Sequence, residues 1–113
     1  MLEVMSGTGR HIPVFLRYHP GEITCVDICQ GSIEILKAKY PDVEAFQGHL
    51  IDWITNVNED KYKLTVGIWC LAYLSKKDID YFLQWVYTNT AVLVLVEPIT
   101  DEDDKELVEN WID

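Results

Sequence analysis

A short apolar strand, Leu2–Met5, runs straight into a turn carrying Ser6, Gly7, Thr8 and Gly9, with Arg10 behind it. A second apolar run, Glu22–Val26, then delivers Asp27, eighteen positions beyond Gly9. No other feature constrains the fold as tightly. A strand, a glycine turn, a helix and a second parallel strand make a βαβ unit, which sets the turn and the tip of the second strand side by side at one end of a sheet. Turn glycines let backbone approach a ligand closely, and an acid at the strand tip accepts hydrogen bonds from ribose hydroxyls. The layout is that of a nucleotide-type site.

The glycine spacing narrows the ligand. Dinucleotide sites use G-x-G-x-x-G, where a helix N-terminus meets a pyrophosphate. Here the run reads acid-x-Met-x-Gly-x-Gly, from Glu3 through Met5 to Gly7 and Gly9, with no third glycine in step and no lysine for a phosphate. A plain oxidoreductase is therefore a distant reading. The run resembles motif I of the class I S-adenosylmethionine (SAM) methyltransferases, E/D-x-G-x-G-x-G, with Met5 in the place of the first glycine. Asp27 stands where that family carries its ribose-binding acid.

The remainder of the chain alternates apolar runs with helical patterns, an α/β signature. A helix is expected over about Arg10–Tyr18, with Pro13 tolerated in its first turn. His19-Pro20-Gly21 reads as the turn into the second strand. The next helix covers roughly Gly31–Tyr40, where Ile33, Leu36 and Tyr40 share one face and Pro41 stops it. Val43–Gln47 reads as a strand, Asn56–Lys61 as a polar connection, and Tyr62 to about Trp69 as a fourth strand. Ser75 to Asp78 is a capping box, after which Ile79, Phe82, Leu83 and Val86 form an apolar face. Ala91–Val96 is continuously apolar, as expected of a parallel strand buried on both faces. Thr100–Asp103 is a second capping box, opening a helix with Leu107, Val108 and Trp111 on its apolar side. Five strands joined by right-handed crossovers give a Rossmann-like parallel sheet of order 3-2-1-4-5 with flanking helices. Ligands in such sheets bind at the carboxyl ends of the strands, around Gly7, Asp27, Gly48 and Trp69.

Bulk properties bound the rest. The 113 residues make a single domain, 1–113, and an apolar content of 49% is that of a globular protein. Nine basic residues face nineteen acids, a net charge of −10. Such a surface repels phosphate backbones and attracts cationic partners, basic peptides among them; plain solubility is an equally good reason for it. Cys25, Cys29 and Cys70 are odd in number and scattered, so reduced, buried thiols in the cytoplasm, or the nucleus, fit better than a disulfide framework. No metal site is expected, because the cysteines lack a second close pair and the histidines are dispersed. The chain has neither a run long enough to span a membrane nor a signal peptide.

Later segments extend the likeness. Phe46–Trp53 follows the third strand, where methyltransferases contact the adenine ring. Tyr62–Leu74 resembles their motif IV, "YDLI…W…L.HL", with Trp69 as its tryptophan. The helix from Ser75 is similar to "L-S/T-x-x-D-L-x-x-F-L", and Val94–Glu97 to the "IxIKE/D" strand after it. The pattern is most similar to the protein α-N-terminal methyltransferases, and it covers nearly the whole chain. Two departures stand out. Tyr73 occupies the place of a histidine that manages the proton of the substrate amine, and a phenol is a poorer base at neutral pH. Family members usually also carry helices before the first strand and two strands after the last helix here, so the core is expected to be incomplete at both ends.

The resemblance implies the following roles. SAM is the cofactor. Gly7 and Gly9, with Ser6 and Arg10, lie along its methionine part, and Glu3 anchors the turn. Asp27 takes the ribose hydroxyls. Ile28 and Leu50 sandwich the adenine beside Gly48, and His49 lies at its edge or is simply a loop residue. Trp69 faces cofactor or acceptor, or is core at the end of a strand. Trp69, Tyr73 and Glu97 are the catalytic candidates; Glu97 orients an acceptor amine or merely ends a strand. The implied activity is methyl transfer to an amine of a basic protein, a peptide or a small molecule. The alternative is a binding or regulatory subunit that keeps the fold without turnover. The apolar fifth strand would lie at a sheet edge, so a second copy or another chain is expected to complete it.

Overall fold

The computed structural model describes residues 1–18, 21–56 and 62–97. Five strands, β1 (Leu2–Val4), β2 (Thr24–Asp27), β3 (Glu44–Gln47), β4 (Tyr62–Ile68) and β5 (Thr90–Val96), form one sheet. Its order is β3-β2-β1-β4-β5 and every pairing is parallel. This is the Rossmann-like α/β arrangement and order that the motif spacing implies.

Parallel strands need crossovers, and these are α1 (Ile12–Tyr18), α2 (Gln30–Lys39), α3 (Leu50–Asn56) and α4 (Lys76–Asn89). Strand residues alternate faces, so the sheet divides the interior into two cores. Ile12 of α1 and Ile33 and Leu36 of α2 pack with Cys25, Ala45 and Val66 on one face. Leu50 and Ile54 of α3 and Phe82 and Val86 of α4 pack with Leu2, Val4 and Val26 on the other.

The helix ends follow local chemistry. Ser75 Oγ accepts the Asp78 amide at 3.1 Å, the N-cap its capping box implies. Tyr40 caps α2 through its amide to the Leu36 carbonyl, 2.8 Å away. The sequence assigns no helix between β3 and β4, yet α3 forms there. Its starting signal is unusual: His49 Nδ1, rather than a Ser, Thr, Asp or Asn side chain, accepts the Ile51 amide at 3.1 Å. The second capping box and the helix expected beyond it lie outside the described residues, as do most of the polar connection before β4 and His19–Pro20.

Three expectations of burial are corrected. β5 is not buried on both faces. Leu93 and Leu95 pack against the α3/α4 core, but Val92, Val94 and Val96 are exposed, because among the described residues no helix of the α1/α2 face reaches past β4. Leu83 is likewise exposed, at the margin of the apolar face of α4. Cys29 is exposed too, since it is the residue that opens α2 at the end of the sheet. Among the described residues no helix is long and apolar enough to cross a membrane.

Gly67 lets β4 sit close to that second core. A Cβ there would fall 2.6 Å from Cys70 Sγ, 3.0 Å from Leu95 Cδ2 and 3.2 Å from Val4 Cγ2. Cys70 and Val4 are fully buried and cannot yield cheaply. Gly67→Ala is expected to destabilise the fold by about 1–3 kcal/mol. The expected readout is a lower urea midpoint with an unchanged slope; a midpoint equal to that of the parent would show the site to be looser than its contacts.

Candidate functional site

The order of the sheet reverses at β1, which is flanked by β2 and β4. Crossovers leave on opposite faces there, so the loops after the strands part and leave a crevice. A cavity of about 400 Å³ occupies it, a size suited to a small ligand. Asp27 and Ile28 at the tip of β2, His49 and Leu50 after β3, and Trp69 and Tyr73 after β4 line its walls.

Asp27 is the hinge of the local geometry. Its Oδ1 accepts the Gly7 amide at 3.2 Å and its Oδ2 accepts the Cys29 amide at 3.0 Å. One carboxylate therefore ties the glycine turn to the start of α2. Each oxygen keeps a further lone pair, so the group can still accept from a pair of hydroxyls. The backbone continues the tie: the Gly48 amide donates to the Asp27 carbonyl at 2.9 Å, and the Ser6 amide to the Val26 carbonyl at 3.1 Å.

The cavity holds two strained residues. Met5 and Trp69 both have φ of 54°, the left-handed region that side chains disfavour, and both line the cavity. Each such residue costs on the order of 1–3 kcal/mol and persists only where its surroundings fix it. Met5 thus adopts a backbone that a glycine, the first of the motif, adopts freely. Gly7 has φ of 59° and open space where a Cβ would be, so only its backbone angle calls for glycine.

Gly9 has a packing role that its spacing does not report. Its φ is 87°, and a Cβ would meet Ile12 Cδ1 at 2.8 Å and Leu36 Cγ at 3.1 Å. Its bare side faces the helices rather than the cavity. It lets α1 and α2 pack against the turn.

Glu3 also lies away from the cavity. Alternation along β1 turns it opposite to Leu2 and Val4, toward α1, where it is 1% exposed. Its Oε2 sits 3.3 Å from His11 Nδ1. An ion pair would lower the acid's pKa and raise that of the imidazole. Both move the other way. Burial, helped by Asp27, pushes Glu3 up to about 8, and burial, helped by Arg10, lowers His11. Both shifts favour the uncharged form of each partner.

Of the residues singled out in the sequence, the fold brings Asp27, Ile28, Gly48, His49, Leu50, Trp69 and Tyr73 to one cavity. It leaves Ser6 buried in the turn, Arg10 exposed and Glu97 behind the wall formed by Trp69. Trp69 is not core: it is 60% exposed, and Tyr73 is 78% exposed, so both stand at the cavity mouth. Sequence reasoning missed Met5, Val26 and Ile68 as lining residues. Their position within one residue of the carboxyl end of a strand was the available signal.

The pH dependence of stability follows from Glu3. The folded protein holds the Glu3 proton up to about pH 8, whereas an ordinary glutamate carboxyl loses it near 4.5. The folded state thus binds more protons between those values, and stability falls as pH rises through that window. Glu3→Gln mimics the protonated acid and should remove this part of the fall. Urea midpoints from pH 5 to 8.5 are expected to decline less in the variant; parallel profiles would show that Glu3 does not hold its proton.

Known proteins share this arrangement. Residues 1–91 match the family model described as a methyltransferase domain. Over 48 residues the chain is 35% identical to an uncharacterized methyltransferase-like protein of Schizosaccharomyces pombe, a match spanning 42% of this chain and 19% of that one. Solved structures with the same fold include an amino pentose methyltransferase from Micromonospora echinaspora with SAM bound, at 17% identity and a TM-score of 0.75, covering 89% of this chain and 43% of that one. The plantazolicin methyltransferase in complex with the demethylated product S-adenosylhomocysteine (SAH) gives 13% identity, a TM-score of 0.74, and coverage of 99% and 43%. Phosphoethanolamine N-methyltransferase 1 of Haemonchus contortus gives 18%, 0.72, 88% and 22%. The chain spans less than half the length of each of these proteins.

Proposed function

The chain belongs to the methyltransferase-domain family, and on that premise we propose that it is a SAM-dependent methyltransferase whose cavity takes the cofactor at Asp27. The observation that carries this reading is the Asp27 carboxylate. It stands at the tip of β2 inside the cavity, holds the glycine turn by one oxygen and the start of α2 by the other, and keeps acceptor capacity for a diol. The residues around it suit the rest of the cofactor. Ile28 and Leu50 offer apolar surface for an adenine. His49 accepts the Ile51 amide at Nδ1, which leaves Nε2 to carry the proton of the neutral ring and to donate at the edge of that base.

When bound, SAM supplies a methyl group already activated on its sulfonium. The chain's own residues hold and orient. Asp27 fixes the ribose end, and Met5 lines the cavity beside it. Trp69 and Tyr73 form an aromatic mouth that shields the reacting groups from water and favours a cationic centre. With a net charge of −10 on the chain, the acceptor class best supported is an amine of a basic protein or peptide, or of a small cationic molecule. The likeness of the Trp69 segment to the α-N-terminal methyltransferases supports the first of these, and Tyr73 in place of a histidine weighs against it.

A second reading, a cofactor-binding subunit without turnover, is favoured by the same Tyr73. Calorimetric titration of SAH, followed by transfer assays on a basic peptide, separates the two. SAH is expected to bind, and Asp27→Ala to weaken it by about 2–3 kcal/mol, roughly 30–150-fold. Unchanged affinity in the variant would remove Asp27 from the site, and binding without transfer to any amine would support the second reading.

Transfer to a basic peptide should also slow as salt rises, because screening shortens to about 8 Å at physiological ionic strength. A rate indifferent to salt, or higher on an anionic acceptor, would overturn the assignment of acceptor charge.

A further inference from the structure

Glu97 follows directly on β5, outside the cavity, and its carboxylate is turned toward the loop after β4. One oxygen, Oε1, accepts the Cys70 amide and the Leu71 amide, each at 3.2 Å. The other, Oε2, is buried and has no hydrogen-bond partner among the described residues. Immediately upstream, the Trp69 amide donates to the Val96 carbonyl at 2.7 Å. The end of β5 therefore holds three successive amides of the loop, through one main-chain oxygen and one side-chain oxygen.

That loop needs holding. Trp69 leaves β4 in the left-handed region, with φ of 54°, and a bulky residue stays there only if its neighbours fix it. The turn that follows, Leu71–Tyr73, is a single 3-10 turn, whose own hydrogen bonds are few. Its first amides would otherwise be orphaned beside a fully buried Cys70. The two exposed aromatic side chains of the cavity mouth, Trp69 and Tyr73, lie on either side of the amides that Glu97 takes.

We propose that Glu97 is a positioning residue for the cavity: by binding the Cys70 and Leu71 amides, its carboxylate fixes the left-handed Trp69 and the turn to Tyr73, and so sets the aromatic wall against which a ligand rests. It acts through the backbone and does not touch the ligand. The inference uses the proposed cofactor only to supply a ligand for one of its tests.

The experiment compares the parent protein with Glu97→Ala and Glu97→Gln, the latter keeping an acceptor in the same place. Amide hydrogen exchange at Cys70 and Leu71, and acrylamide quenching of the Trp69 emission obtained by difference from Trp69→Phe, need no ligand. Exchange is expected to accelerate at least tenfold and quenching to change in Glu97→Ala, with both largely restored in Glu97→Gln. Unaltered exchange and quenching in Glu97→Ala would overturn the proposal. SAH titration supplies the second arm. Glu97→Ala should weaken SAH about tenfold in the parent and less than about twofold in a Trp69→Ala background, because the effect passes through the indole. Equal weakening in both backgrounds would show a merely structural role and also overturn it. If the parent binds no SAH, the cofactor reading fails, and exchange and quenching alone decide the role of Glu97.

Discussion

The arrangement of the molecule depends on β1 having two parallel partners. Leu2, Glu3 and Val4 pair with Thr24, Cys25 and Val26 on one side and with Thr65, Val66 and Gly67 on the other. A parallel strand cannot be reached by a short turn, so each partner arrives by a crossover, and right-handedness sends the helices toward β2 and those toward β4 to opposite faces. The strand is short and its residues are buried on both sides. Once it is central, the loops at its carboxyl end must separate, and an opening forms there. The cavity is thus a consequence of strand order before any side chain is considered.

Two carboxylates then make that opening into a defined shape, and they work alike. Asp27 at the tip of β2 takes amides from the turn after β1 and from the start of α2. Glu97 at the tip of β5 takes amides from the turn after β4. Each therefore serves a loop that contains a left-handed residue other than glycine, Met5 in one and Trp69 in the other. Charge-assisted hydrogen bonds from backbone amides are about twice as strong as neutral ones, which is what a strained loop requires. The difference lies in exposure to the cavity: Asp27 lines it and retains acceptor capacity, while Glu97 acts from behind.

The sheet was legible because its signals are local and mutually consistent. Alternation between apolar runs and helical periods fixed the element types, and the handedness rule fixed the order. The cavity-lining residues were legible as far as topology determines them, since Asp27, Gly48 and Trp69 all stand at or just beyond carboxyl ends of strands. Contacts that depend on which way a side chain turns were not. Glu3 reads as part of the glycine motif, but the two-residue period of a strand points it to the opposite face. Gly9 reads as a ligand glycine, and its spacing does not report its packing against Ile12 and Leu36. α3 escaped notice because its cap is an imidazole, for which sequence rules carry little weight. The exposure of Val92, Val94 and Val96 is a tertiary fact, set by where the α1/α2 layer stops, and a run of β-branched residues cannot report it.

The polar groups of the cavity are largely committed to its architecture. Both oxygens of Asp27 accept backbone amides, and Nδ1 of His49 is engaged by the amide of Ile51. What stands exposed at the mouth is an indole and a phenol. Neither is a strong base at neutral pH, so the chain's influence on a transfer reaction is mainly one of position. Methyl transfer tolerates this, because the leaving group is activated within the cofactor and the protein need only align the acceptor and exclude water. In such a site, the placement of the aromatic wall matters alongside the polar contacts. The Glu97 carboxylate, tied to the Cys70 and Leu71 amides that follow Trp69, is placed to act on that wall through the backbone.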